Sequence, residues 1–177
     1  LMVYDTLKAI PLPRINYTEK YGKEKAELEK EFQNHLDEWR QTALMMLSTA
    51  KKYGDRVEFH HRPNGEWETF TWNEISEIMF AVASALLNEG VGEEDKTGIF
   101  APNRAEWTLA DLGAQLIRCV PVPIYATNSE QEAEYIINDA EIRLLFVGRQ
   151  AQYDRSYPLL DKCPSLKKIV VFHRGTK

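Results

Sequence analysis

Backbone amides converge on a phosphate only where glycines lie close together, so glycine spacing is a first test for nucleotide chemistry. The 177-residue chain holds nine glycines, at positions 22, 54, 65, 90, 92, 98, 113, 148 and 175. Only Gly90 and Gly92 are near each other, and Glu93-Glu94-Asp95 follow them directly, a run that repels phosphate. Neither Gly-x-Gly-x-x-Gly nor Gly-x-x-x-x-Gly-Lys-Ser/Thr occurs. The turn "APNRAEW" (101–107) stands where a dinucleotide fingerprint would need glycines. No serine occupies a Gly-x-Ser-x-Gly elbow. His60 and His61 are adjacent, so on a strand they point to opposite faces and cannot share one metal ion. Cys119 and Cys163 lie in apolar runs without an obvious base beside them. Two cysteines are too few for a disulfide framework and suit a reduced, cytoplasmic setting. Carboxylates are plentiful but fall at helix starts or on solvated faces, where capping and solubility explain them. Trp67, Trp72 and Trp107 sit at element edges or on apolar faces and read as packing residues. The residues by themselves offer no catalytic group and no self-sufficient active site.

Any site must therefore come from how elements bring strand ends together. Residues 1–42 read as an N-terminal arm containing "IPLPR", followed by a charged helix from Thr18 whose Glu and Lys recur at helical spacing. Residues 43–177 read as an α/β domain. Trp39, Ala43, Met46, Leu47 and Ala50 share one helical face, and Gly54 suits its C-terminal stop. "VEFHHRPNGEWETFTW" predicts a β-hairpin turning at Asn64-Gly65. Beyond it, helices over 72–89, 104–117, 130–139 and 151–162 alternate with the strands "KTGIFA", "CVPVPIY", "RLLFVG" and "KKIVVF". That alternation predicts βαβ units and a mostly parallel sheet with flanking helices. Thr71-x-x-Glu74, Asn103-x-x-Glu106 and Ser129-x-x-Glu132 predict capping boxes at three of the helix starts. Gly90 ends the first of these helices. Pro121 and Pro123 lie two apart, so their missing amides face the same side, which predicts an edge or bulged strand.

Composition removes some functions. Hydrophobic residues make up 44% of the chain, enough for a real core, and the net charge of −5 leaves no basic excess for gripping nucleic-acid phosphates. No apolar run is long enough to span a membrane, and no basic amphipathic stretch marks a membrane anchor. Leu1-Met2 does not read as a natural start, and "VVFHRGTK" stops just after a strand, so a truncated chain is expected.

The order of motifs resembles the adenylate-forming, AMP-binding enzymes over about residues 43–173. "TFTWNEIS" (69–76) is similar to the family's Thr-Tyr-x-Glu-Leu-like opening. "ALLNEGVGEEDKTGIFAPNRAEW" (85–107) is similar to its helix, Gly turn, acidic stretch, strand and Asn-x-x-Glu-Trp helix start. "VPVPIYATNSEQEAEYIINDAEIRLLFVG" (120–148) is similar to its Val-Pro-Ile-Tyr-like strand, Thr/Ser break and Tyr-Ile-x-x-Asp helix. Among subfamilies the bacterial long-chain fatty acid–CoA ligases look most similar. Two positions depart from the pattern: Arg118-Cys119 replaces a usual Gly-Ala, and Ala126 a usual Pro.

The resemblance implies an N-terminal subdomain of an enzyme that joins a fatty acid to CoA using ATP and Mg²⁺, through an acyl-adenylate. The family's phosphate loop, adenine pocket, ribose-binding Asp and catalytic Lys lie downstream of the matched region, so the piece alone is expected to be inactive and to bind none of these ligands tightly. Its partners would be the rest of the same chain, with fatty acid, ATP and CoA as substrates of the whole enzyme. A homo-oligomer, and peripheral membrane contact by a cytoplasmic enzyme, are compatible with the resemblance. Ligand contact is expected at the carboxyl ends of strands, at Ala101-Pro102-Asn103, Tyr125 to Asn128 and Gly148-Arg149. In relatives acting on short acids, small residues after the second strand lie near the pantetheine arm of CoA, which maps onto Ala126 and Thr127. The plain alternative for these two is a turn into a helix capped by Ser129. The alternative for the whole chain is a free-standing α/β interaction or regulatory module docking through its charged helix.

Overall fold

A computed structural model of the chain describes residues 42–62 and 66–173. Its elements run α1 (Thr42–Tyr53), β1 (Val57–His61), β2 (Glu68–Thr71), α2 (Trp72–Asn88), β3 (Lys96–Phe100), α3 (Ala105–Leu116), β4 (Val120–Ile124), α4 (Glu130–Asp139), β5 (Leu144–Val147), α5 (Gln150–Ser156), α6 (Leu159–Lys162) and β6 (Lys168–Val171). The expected α/β alternation is present. The charged helix, Trp39 and the Asn64-Gly65 turn lie outside the described residues.

Two of the expected capping boxes form. At α2 the Glu74 amide donates to Thr71 Oγ1 at 3.3 Å while the Thr71 amide donates to Glu74 Oε2 at 2.8 Å. At α4 the Glu132 amide donates to Ser129 Oγ at 3.2 Å and the Ser129 amide to Glu132 Oε2 at 2.7 Å. The third does not. Arg104, extended and without a side-chain cap, precedes α3, and Glu106 turns to its guanidinium instead. A charge-assisted bidentate pair outcompetes a neutral amide for the carboxylate. The segment expected as one helix over 151–162 is two, because Pro158 lacks an amide and its ring would clash with the carbonyl one turn earlier.

The strand order β4-β3-β5-β6 is parallel throughout, with β1 and β2 forming a separate antiparallel pair. From β3 the chain passes through α3 outward to β4, then returns through α4 across β3 to β5. Right-handed crossovers in opposite directions put helices on both faces. One face packs Phe100, Ile124, Leu145 and Val147 under Ala133, Ile137, Leu159 and Cys163 of α4 to α6. The other packs Ile99, Leu144 and Phe146 under Leu86 of α2 and Ala110 and Ala114 of α3. Each large apolar side chain buried here contributes about 1.5–3 kcal/mol. Ala43, with Met46 and Leu47, packs α1 against Ile75 and Met79 of α2 and Leu109 of α3, as the spacing predicts. Trp107 is partly buried against the second face. Trp67 corrects the packing expectation: it is 68% exposed, with the Arg62 guanidinium 5.8 Å from its ring.

Pro121 and Pro123 are explained by β4's place at an edge, and its register to β3 is regular, without a bulge. Val120 donates to the Asp95 carbonyl at 2.8 Å, so Val122 and Ile124 also face β3 and both proline nitrogens face outward. No ladder bond is lost.

Helices α2 and α3 end in matching Schellman loops. After α2, Gly90 (φ 74°) donates to Leu87 and Val91 to Leu86. After α3, Arg118 (φ 58°) donates to Gln115 and Cys119 to Ala114. The position where the resembling family usually carries glycine is thus left-handed here, and a Cβ there is strained.

Replacing Arg118 by glycine is expected to relieve about 1–2 kcal/mol of that strain, offset in part by the freer unfolded chain. A net gain of about 0.5–1 kcal/mol should appear in urea unfolding; an unchanged or lower midpoint contradicts the assignment. The exposed Arg118–Glu93 pair lost with it counts for little.

Acid should destabilise this domain. Backbone and hydroxyl bonds from Thr71 and Ser129 hold Glu74 and Glu132 below the usual carboxylate range. Burial opposes the shift at Asp95, but the Gly92 amide and Arg143 bring it down, and Arg104 lowers Glu106. Groups lowered in the folded state lend stability above the unfolded value near 4, and that stability is lost as pH falls through the folded value. Asp111 works the other way, its carboxyl pushed up by burial despite the Gln115 amide, so it costs stability at neutral pH. Melting temperature should hold from pH 7 to about 5 and fall below about 4, with Asp111→Asn raising the neutral value. A melting temperature that did not move on acidification would contradict the reading.

Candidate functional site

All four parallel strands end on one side, so the loops after Phe100, Ile124, Val147 and Val171 gather there. The connection from β3 leaves in one direction and that from β5 in the other, which makes the β3/β5 boundary the topological switch point where such sheets usually leave a ligand crevice. Here that crevice is closed. A Cβ on Gly148 would meet Pro102 Cδ at 2.8 Å and Ala101 Cβ at 2.9 Å, so the two loops touch backbone to backbone. The Gly148 amide donates to the Phe100 carbonyl at 3.0 Å, and Arg104 Nη1 donates to the Gly148 carbonyl at 2.8 Å. Arg104 also grips Glu106 through Nε at 2.9 Å and Nη2 at 2.7 Å and lies 5.4 Å from the ring of Phe172. Phe172 in turn stacks on Phe146, with centroids 5.6 Å apart. One guanidinium therefore joins the ends of β3, β5 and β6.

Ala126 and Thr127 lie in the adjoining loop between β4 and α4, Thr127 exposed and Ala126 half-buried. Asn128 donates to the Tyr125 carbonyl at 2.9 Å, closing a β-turn. The Ala126 carbonyl accepts from Gln152 Nε2 at 3.1 Å and from Arg155 Nη2 at 3.0 Å. The Asn128 carbonyl accepts from Arg155 Nη1. Carbonyls on this loop are thus bonded to α5. Among the described residues, the amides of Ala126 and Thr127 have no protein acceptor. Glu130 and Glu132 stand at the start of the next helix, and Glu132 is held ionised. Amides without a protein acceptor can hold an acceptor such as an amide carbonyl. Tyr125, 82% exposed, flanks the loop.

Of the three strand ends singled out in the sequence, the structure brings Ala101–Asn103 and Gly148 into contact and leaves Tyr125–Asn128 as the open one. Arg104, Gln152 and Arg155 were missed. Arg104 was hidden inside a pattern read as a cap. Nothing in spacing ties Arg155 to carbonyls 27 and 29 residues away; only the sheet order does.

Comparison with known proteins matches residues 47–176 to the AMP-binding enzyme family. The chain belongs to that family. A relative is the long-chain-fatty-acid–CoA ligase ACSBG2 of Xenopus laevis, 29% identical over 128 residues, covering 72% of this chain and 17% of that protein. Another is the long-chain-fatty-acid–CoA ligase FadD15 of Mycobacterium bovis, 27% identical over 128 residues, covering 72% of this chain and 21% of the relative. The chain thus spans about a fifth of the length of these relatives. The similarity does not single out bacterial members, since a vertebrate protein matches as well. Among solved structures, the N-terminal domain of FACL13 from Mycobacterium tuberculosis superposes with a TM-score of 0.64 at 17% identity, over 74% of this chain and 33% of that one. It shares the fold. In this member of the AMP-binding enzyme family the four-stranded sheet and its helices are accordingly those of the family's N-terminal region.

Replacing Arg104 by methionine keeps the apolar stem but strands Glu106 and the Gly148 carbonyl. A loss of about 2 kcal/mol is expected in chemical unfolding. A loss within about 0.5 kcal/mol, the range of ordinary surface changes, would contradict its role as the bolt between strand ends.

Proposed function

We propose that residues 43–177 form the N-terminal subdomain of an ATP-dependent long-chain fatty acid–CoA ligase, preceded by an arm over 1–42. In the reaction, a fatty carboxylate attacks the α-phosphorus of ATP and releases pyrophosphate. The CoA thiol then attacks the acyl carbon and AMP departs. The carboxylate oxygen is a poor leaving group, and its conversion to AMP is what makes the second step feasible. None of the residues present is assigned a catalytic role. Their part is to supply one sheet and, at Ala126 and Thr127, a wall on the CoA side.

The observation that carries this reading is the polarity of the Tyr125–Ser129 loop. Two of its carbonyls, at Ala126 and Asn128, are bonded to α5, while the amides of Ala126 and Thr127 have no acceptor among the described residues, beside an exposed threonine. Such a face suits the amide carbonyls of a pantetheine arm. The ATP phosphates find no counterpart here, because the glycines are scattered and the acidic run Glu93-Glu94-Asp95 follows the one close pair. The named activity of the relatives supports the substrate class.

ATP–pyrophosphate exchange with palmitate, measured on this chain alone, should give no turnover above the no-enzyme control. Robust exchange would show that the adenylating machinery resides in these residues and would overturn the division of labour proposed.

A further inference from the structure

We propose that Arg155 is the positioning residue of the Tyr125–Ser129 loop, the group that sets which way its backbone faces. The proposal rests on the reading of that loop as a ligand wall. Each guanidinium nitrogen is engaged: Nε donates to the Ala151 carbonyl at 2.8 Å, Nη2 to Ala126 at 3.0 Å and Nη1 to Asn128. Its plane lies 5.1 Å from the ring of Phe100, which is fully buried at the end of β3. All three acceptors are backbone carbonyls, two from the loop and one from its own helix. No strand ladder and no carboxylate depends on it, which separates it from Arg104.

Turning the Ala126 carbonyl toward α5 leaves the Thr127 amide, which shares its peptide, on the outer side, while the Tyr125–Ala126 peptide is set by the turn that Asn128 closes. Without Arg155 the Ala126–Thr127 peptide would be held by Gln152 alone, while the Tyr125 carbonyl stays bonded to Asn128 and the Ser129 amide to Glu132. Gln152 adds a second donor to Ala126, at a cost: its Oε1 is buried and has no partner among the described residues. A glutamine at the third position of a helix ordinarily reaches back to the cap amide, so its diversion to Ala126 shows that the same carbonyl is held from two sides. Lysine cannot replace Arg155, because a single ammonium on a flexible stem does not bridge two carbonyls in a fixed plane.

The test is NMR on the isotope-labelled full chain, with pantetheine as probe and amide hydrogen exchange as the measure of loop order. In wild type, pantetheine should shift the Ala126 and Thr127 amides. In Arg155→Lys, the Asn128 amide should exchange roughly tenfold faster while β3 and β5 amides stay within about twofold, and the pantetheine shifts should vanish. Gln152→Met, which keeps Arg155 and removes the orphaned acceptor, should loosen the loop by only roughly threefold or less. Exchange that rises uniformly across the sheet, or a loop unchanged in Arg155→Lys, would overturn the positioning role. If pantetheine leaves the wild-type loop unshifted, the ligand-wall reading fails and this role with it. The first failure is read in the variant and the second in wild type, so the two are distinguishable.

Discussion

The carboxyl end of this sheet depends on charge placed where backbone carbonyls would otherwise be left to water. Past the ends of these short parallel strands, the carbonyls of Ala126, Asn128 and Gly148 accept from side chains. Arg104 and Arg155 supply donors for them from opposite faces, one through Gly148 and the other through Ala126 and Asn128. The planar fork suits this task because each nitrogen can serve a different strand end without moving the others. The two arginines divide the strand ends: one ties the loops at the switch point together and the other is bonded to the loop beside it.

The same division closes the crevice that open α/β sheets usually leave at their switch point. The order β4-β3-β5-β6 places a switch point between β3 and β5, yet Gly148 lets the flanking loops close on each other there. Without clustered glycines ahead of α3, a guanidinium with its own carboxylate takes up the space. Glu106 is both the partner that neutralises Arg104 and the acid that makes the start of α3 unfavourable for an anion.

Elements with a strong local signature were legible in the sequence. Thr71 and Ser129 announce their helices through short-range bonds, and the apolar strand within "RLLFVG" is fully buried while that within "KKIVVF" is half-buried. The prolines of β4 also spoke clearly, since a missing amide must face somewhere without a partner. Legibility failed where a longer-range partner competed. Glu106 was within reach of a guanidinium that no spacing rule includes, and the break at Pro158 was masked by helix-forming neighbours on both sides. Trp67 was read as a packing residue because size alone suggests burial, whereas among the described residues its ring is left largely exposed. At the strand ends, Ala126 and Thr127 could be located from the family pattern, but the orientation of their backbone could not, because it is set by side chains on a later helix.

The two prolines of β4 have a consequence for the life of the chain before it is finished. A ribosome releases polypeptide from the amino end, so a parallel sheet of this kind can form while later segments are still being made. An ordinary exposed strand would offer alternating donors and acceptors to another nascent copy. Outward-facing Pro121 and Pro123 present oxygens alone, and two such borders brought together have nothing to exchange. The unfinished sheet is thereby kept from templating its own copies along that border during synthesis.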